Sequence, residues 1–229
     1  MKILKELNPK SIPVSFFMRD AQIVAQALLG KVIKHHYEGR WLMCRIIETE
    51  AYYLKDRASH ASLGYTHSRR ALFAKPGTMY MYYARGGDSL NFSCLGDGNA
   101  VLIKSAYPVL AALKDHSSLE AMQQNNPAPD GSRRPVNKLC SGQTLLCKSM
   151  GLKVPEWNNK QMDPRRLHLV DDTYVPASII RTTRLGINPE RDPHLPYRFI
   201  DLEYANYCTR NPLRVRNWRI NRDYTILKP

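Results

Sequence analysis

Several things are scarce in this chain of 229 residues. No apolar run approaches the ~20 residues that a membrane-spanning helix requires. The opening stretch, Met1 to Asn8, intersperses charges and lacks the apolar centre of a secretory leader. These two absences predict an intracellular protein that makes no use of a membrane, cytoplasmic and at the nucleoid if the source is bacterial. Cysteine is sparse and odd in number, at positions 44, 94, 140, 147 and 208. Scattered thiols with no C-x-x-C pair exclude a disulfide framework and suit a reducing compartment. No histidine cluster has zinc-ligand spacing, so no metal site is expected. Cys140 and Cys147 would share a face if their segment were helical throughout, as two small buried hydrophobes. Internal repeats are absent, and no break in composition is strong enough to declare a second folded unit.

Negative charge is also in short supply. Lysine and arginine total 34 against 20 acidic residues, a formal +14. Such an excess calls for counter-charge, and nucleic-acid phosphates are the commonest source. A merely solubilising surface is the bland alternative, and charge alone does not separate DNA from RNA or a lipid surface.

What is present reads as a mixed α and β chain. Asp20 to Leu29 has a helical stripe of Ile23, Val24, Ala27 and Leu28, with Asp20 as cap and Gly30 as stop. Lys31 to His36 and Arg40 to Tyr53 read as strands around the Glu38-Gly39 turn. On the second, Leu42, Cys44 and Ile46 share a face that Glu48, Glu50 and Tyr52 continue. Leu54 to Ser68 is a polar loop, and Arg69 to Ala74 a short helix stopped by Pro76-Gly77. Thr78 to Arg85 and Ser89 to Leu95 form a hairpin about Gly86-Gly87-Asp88. Asn99 to Ala106 is a further strand. Val109 to Gln123 and Ser141 to Met150 read as helices, and Asn125 to Pro135 as a flexible loop. Arg165 to Val170, Ser178 to Leu185 and Arg198 to Tyr204 fit strands. Thr209 to Arg222 carries five arginines and no acid.

Three features carry chemistry. A carboxylate at the end of a buried strand face, as at Glu48 or Glu50, is rigid and partly desolvated, which suits a base that orients one water. On the aromatic hairpin, Tyr80 and Tyr82 share one face while Tyr83 and Arg85 lie on the other, with Arg85 at the tip. A cationic tip beside an aromatic flank suits insertion into a nucleic-acid groove. Leu102 and Lys104 share a strand face, and a buried-side lysine would seek Glu48 or Glu50. Taken singly, each has an ordinary structural reading: a solvated strand end, a tyrosine-rich strand, a surface lysine.

Together they resemble the alkyladenine (3-methyladenine) DNA glycosylase family. The resemblance rests on Arg45-Ile46-Ile47-Glu48-Thr49-Glu50-Ala51-Tyr52, then Ala58-Ser59-His60-Ala61. It continues with Phe73 and Lys75-Pro76-Gly77-Thr78-Met79-Tyr80-Met81-Tyr82, and with Gly96-Asp97-Gly98-Asn99-Ala100-Val101-Leu102-Ile103. Leu139-Cys140-Ser141-Gly142, Arg184-Leu185-Gly186-Ile187 and Pro196 to Phe199 complete it, in the same order from Asp20 to Ile200.

The resemblance implies an α+β fold, a single compact domain with a mixed, mainly antiparallel curved sheet flanked by helices, and a protruding hairpin for DNA insertion. The glycosylase domain would span residues 1–204, with residues 205–229 a basic extension packed on it or trailing from it. The implied activity is excision of alkylated or deaminated purines from double-stranded DNA by hydrolysis, with no metal, no cofactor and no covalent intermediate. A monomer is expected. The family's general base falls on Glu50, supported by Lys104. Tyr52, Tyr82 and His60 fall on the residues that sandwich the flipped base, Asn91 on the pocket wall and Leu102 beside the base. The backbone of Gly186-Ile187 falls near the water. Arg85, Arg69, Arg70, Ser141 and Gly142 are the expected DNA contacts. Departures from the pattern are Arg85 where the wedging residue is usually tyrosine, Lys104 where an arginine supports the water, and Thr66-His67-Ser68 in place of Thr-Pro-Arg. Two other readings stay open at this level: a DNA-binding protein of the same fold that no longer catalyses, and a hydrolase of free nucleosides.

Overall fold

The computed structural model describes residues 10–109 and 116–228. In chain order the elements are β1 (Lys10–Ser11), α1 (Ala21–Leu28), β2 (Val32–Tyr37), β3 (Arg40–Tyr52), β4 (Met79–Ala84), β5 (Gly87–Ser93), β6 (Ala100–Pro108), α2 (His116–Asn125), α3 (Gln143–Ser149), α4 (Val154–Trp157), β7 (Leu167–Asp171), β8 (Ile179–Thr182), β9 (Arg198–Asp201) and β10 (Tyr224–Leu227). Single 3-10 turns, among them His60–Leu63 and His67–Phe73, fill the polar connection after β3. The helix expected from Val109 begins at His116 among the described residues, and residues 110–115 lie outside them, as does the opening stretch Met1 to Asn8.

The strands form one open sheet whose main path runs β1-β7-β2-β3-β6-β5-β4, with the named pairings antiparallel. With helices packed on it, the architecture is the expected α+β. β3 is the hub. Its first half pairs with β2 (Val32↔Arg45 to Tyr37↔Arg40), and its second half pairs with β9 (Glu48↔Ile200 to Glu50↔Arg198). β6 runs along its other side. The far end of β3 therefore has a strand on either side, which is why Glu48, Thr49 and Glu50 are fully buried although polar.

The alternation along β3 is not continuous. Its register with β6 shifts between Ile46 and Glu48 and again between Glu48 and Thr49. Before the irregularity Leu42, Cys44 and Ile46 enter the main core; after it Ala51 does, while Thr49 donates its hydroxyl to Ala25 O in α1. β6 changes in step, from Ala106 to Ile103 and Val101. Glu50 and Tyr52 thus leave the core face that the simple period-two reading gave them. A bulge re-aims the side chains beyond it.

α1 starts where expected, with the Asp20 carboxylate accepting from the N–H of Gln22 and Ile23. Its buried stripe is Ala21, Val24, Ala25 and Leu28, so Ile23 stands exposed rather than inward. The hairpin turn is Arg85-Gly86, because Ala84 pairs with Gly87. Both turn residues have positive φ, 50° and 81°, as a two-residue hairpin turn that follows the sheet twist requires. A smaller cluster of Ile47, Ile180, Ile200, Ala205 and Cys208 seals the β8–β9 side, and β10 closes that edge by pairing with β8. All five cysteines are buried and unpaired. Among the described residues no helix is long and apolar enough to cross a membrane.

Candidate active site

The junction of β3, β6 and β9 buries one carboxylate behind the residues of a cleft. Glu50 is wholly buried and receives three donors. The Tyr52 hydroxyl donates to Oε2 at 2.7 Å, the Leu185 N–H donates to Oε1 at 3.2 Å, and Lys104 Nζ lies 3.3 Å from Oε1 and 3.5 Å from Oε2. Lys104 reaches it from β6, two residues beyond Leu102 of the Glu50↔Leu102 pair and within the register irregularity. An ionised carboxylate offers about four lone-pair sites, so three protein donors leave about one acceptor position. Burial, and then the adjacent Glu50 charge, hold the Tyr52 phenol well above its usual range, so it stays a neutral donor.

The three residues that donate to this carboxylate line a cavity of about 530 Å³, although Glu50 itself does not. Tyr52, His60, Tyr82, Asn91, Leu102, Lys104, Arg85 and Gly142 all line it, together with Leu185, Gly186 and Ile187. Their order in space is informative. The His60 and Tyr82 rings lie edge to face with centroids 4.4 Å apart. A planar base between two rings needs ~7 Å, two contact distances of ~3.5 Å, so His60 and Tyr82 belong to one wall. Tyr52 makes no ring–ring contact with either among the described residues and belongs to another.

The shared wall is braced from behind. Tyr80 stacks on Tyr82 at 5.4 Å, its hydroxyl meets His60 Nδ1 at 2.9 Å, and Asn91 Nδ2 donates to the Tyr80 carbonyl. Burial lifts the Tyr80 phenol to about 12. Burial, reinforced by the Arg69 and Arg191 charges, lowers His60, which keeps the imidazole neutral at pH 7.

Arg85 rises exposed from the hairpin turn and turns its guanidinium toward the cavity mouth, where a Cβ added to Gly186 would lie 2.8 Å from Nη2. Three of the expected DNA contacts sit elsewhere. Arg69 donates to the His60 carbonyl and to Thr66 Oγ1, so it shapes the loop that carries His60. Arg70 donates to the His67 carbonyl within its own 3-10 turn, and Ser141 Oγ donates to the Cys208 carbonyl.

Two arrangements escape sequence reasoning. Arg184 and Asp56, both buried, form an ion pair, and the Arg184 guanidinium lies 4.5 Å from the Tyr52 ring centroid. Glu48 is the second buried carboxylate. Arg198 Nε and Thr209 Oγ1 donate to its Oε1 at 2.6 Å each, and Ser105 Oγ at 2.5 Å and the Thr209 N–H at 3.2 Å donate to its Oε2. Burial opposes its ionisation, but Arg198 and the Ser105 and Thr209 hydrogen bonds outweigh that and hold it below the usual carboxylate range. With every oxygen engaged, Glu48 serves architecture. These partners lie 128, 150 and 161 residues apart along the chain, and no local pattern encodes them.

A model of the methylpurine-DNA glycosylase family matches residues 15–204. A Pseudomonas aeruginosa protein named "Putative 3-methyladenine DNA glycosylase" is 57% identical over 220 residues, covering 96% of this chain and 92% of its own. A namesake from Pseudomonas savastanoi pv. phaseolicola is 58% identical over 219 residues, covering 96% and 98%. A more distant one from Koribacter versatilis is 34% identical over 204 residues, covering 86% and 91%. The family match takes in β3, the aromatic wall and Lys104, and the chain belongs to the methylpurine-DNA glycosylase family.

Proposed function

We propose that this protein is a monofunctional DNA glycosylase that takes an alkylated or deaminated purine out of duplex DNA into the aromatic cavity and hydrolyses its glycosidic bond. The observation that carries this reading is the setting of Glu50, a buried carboxylate with about one acceptor site to spare, whose three donors come from Tyr52, Lys104 and Leu185, all of which line a cavity that His60 and Tyr82 also wall.

Cleavage of a purine N-glycosidic bond develops positive charge on the deoxyribose. Glu50 orients a water toward the anomeric carbon and takes its proton, and its charge favours the cationic sugar. The C–N bond breaks as the water oxygen bonds to carbon, and the electron pair leaves with the base. Lys104 and the Leu185 N–H fix the carboxylate, and the Tyr52 hydroxyl ties the cavity wall to the same oxygens. An N-alkylated purine such as 3-methyladenine is already cationic and leaves readily. Its ring gains ~0.5–2 kcal/mol per aromatic face. For a neutral lesion such as hypoxanthine, a donor from the His60 ring would meet the 6-position oxygen, and Asn91 would obstruct the 2-amino group of guanine.

The Lys104–Glu50 pair also bears on the order of steps. Lys104 Nζ is held 3.3 Å from the Glu50 carboxylate, where it fixes that group, which favours hydrolysis over a lyase path in which the lysine itself attacks the sugar. Extrusion costs a few kcal/mol of unstacking, and Arg85 at the mouth is placed to stack on bases or hold phosphate while the lesion is outside the helix. Hydrolysis as written involves one chain and water, so a monomer inside the cell suffices.

Glu50→Gln tests the reading. It keeps the shape and removes the base, so single-turnover excision from a lesion-bearing duplex should fall by ~10²–10⁴, the usual contribution of a general base, with DNA binding retained. Unchanged turnover rejects Glu50 as the base. Binding without excision in the native protein would instead make it a damaged-DNA binder of the same fold.

A further inference from the structure

The cavity has a rim that the excision mechanism does not use. Thr209 lines the cavity on the side of Gly142, and a Cβ added to Gly142 would meet Thr209 Cγ2 at 3.8 Å. Immediately after it the chain turns strongly basic. Arg210, Arg214, Arg216, Arg219 and Arg222 are all exposed, and residues 209–222 contain no acid. The segment lies beyond the 15–204 span of the family model.

The segment is also held in place. Glu48, two residues before Glu50 on β3, grips Thr209 through both its hydroxyl and its N–H. Arg198 donates to the Thr209 hydroxyl and to the Arg210 carbonyl at 2.7 Å. Asn211 is buried and donates to the Ala205 carbonyl, and Pro212 is buried beside it. β10 then anchors the far end of the segment on β8. Backbone order is thus built in before any partner arrives, which lowers the cost of binding.

The arginines are not all consumed by the fold. Arg214 donates to Asn206 and Arg222 pairs with Asp223. The guanidinium groups of Arg210 and Arg216 make no hydrogen bond or ion pair among the described residues. Guanidinium groups fixed on exposed backbone and left unpaired match phosphate oxygens. Duplex DNA carries one charge per ~1.7 Å of its axis, so a duplex that feeds a nucleotide into the cavity brings phosphates across this rim.

We infer that residues 209–222 form a second contact surface for the phosphate backbone of duplex DNA, adjoining the cavity at Thr209 and pinned to the catalytic strand through Glu48. The inference rests on the glycosylase reading for its choice of polyanion. Its contacts are with phosphate, so it adds affinity without adding lesion preference.

The test compares Arg210→Gln/Arg216→Gln with a control of equal charge loss, Arg133→Gln/Arg165→Gln, whose side chains are 74% and 90% exposed. Binding of each to an undamaged duplex is measured by fluorescence anisotropy across a salt series. Each lost phosphate contact lowers the slope of log K against log salt by about 1, so the Arg210/Arg216 variant should lose about 2 and bind roughly tenfold or more weakly at moderate salt. Its single-turnover excision at saturating protein should match the native chain. A slope that stays unchanged, or falls no further than in the control, overturns the surface. Failure of the native chain to excise any lesion would sink the enzymatic reading instead, a separate result.

Discussion

Arg184 holds its guanidinium 4.5 Å from the centroid of the Tyr52 ring while its other contacts, the Asp56 carboxylate and the Ala51 carbonyl, are buried. The cation braces the aromatic wall from a side that does not open on the cavity, since Tyr52 lines it and Arg184 does not. Truncating one member of a buried pair strands the other charge, at a cost of ~3–5 kcal/mol. Asp56→Ala should therefore lower the melting temperature by about 10 °C, at ~2–4 °C per kcal/mol for a chain of this size, and excision should fall along with it as Tyr52 loses its brace. A thermal melt within 2 or 3 degrees of native, about the size of 1 kcal/mol, would show that the pair contributes little.

Glu48 predicts an acid sensitivity whose sign follows from its surroundings. Its folded pKa is below the unfolded value, despite burial, because of Arg198, Ser105 and Thr209. The resulting stability is fully present above the unfolded pKa of ~4.3 and is lost as pH falls through the lower folded value. Glu48→Gln removes that contribution at neutral pH and leaves Arg198 buried without its counter-charge. Urea unfolding should show a deficit of ~3–5 kcal/mol at pH 7 that narrows below about pH 4 as the native carboxyl is protonated. A deficit independent of pH would mean that shape rather than charge holds the junction.

Arg85 lines the cavity from the exposed hairpin turn, and on the proposed reading it acts on the duplex there. Arg85→Ala should slow excision of a lesion in a fully paired duplex more than excision of the same lesion opposite an abasic gap, where less stacking opposes extrusion. The salt dependence of binding should also weaken by about 1 in slope. Equal rates on both duplexes, with only the slope altered, would reduce Arg85 to a phosphate contact.

Much of this was legible in the chain. The strand that carries Glu50 and Tyr52, the aromatic hairpin and the strand of Leu102 and Lys104 all follow from short-range alternation and turn residues, and the structure gathers Tyr52, Tyr82, Leu102 and Lys104 with His60 around one cavity, with Glu50 bonded to Tyr52 and Lys104 behind it. The misreadings were local in origin. Gly86 and Gly87 allow two turn frames, and the ladder chose Arg85-Gly86 because Ala84 pairs with Gly87. Ile23 fits a helical stripe on paper, but the sheet meets α1 on the Ala21 and Ala25 side. β10 went unseen because four residues at the end of a basic stretch carry too little pattern.

The chain alone determined an excess of positive charge that suits a polyanion, the elements that periodicity can mark and the family that its joint motifs signal. Tertiary structure alone decided which glutamate is held by cavity-lining residues and keeps an acceptor position and which has every oxygen engaged. That choice turns on a paired irregularity in β3 and β6 and on Arg198 and Thr209 arriving from far along the chain. Alternation is a property of neighbours, whereas burial and charge pairing depend on what folding brings alongside, so two carboxylates in one short motif meet opposite fates.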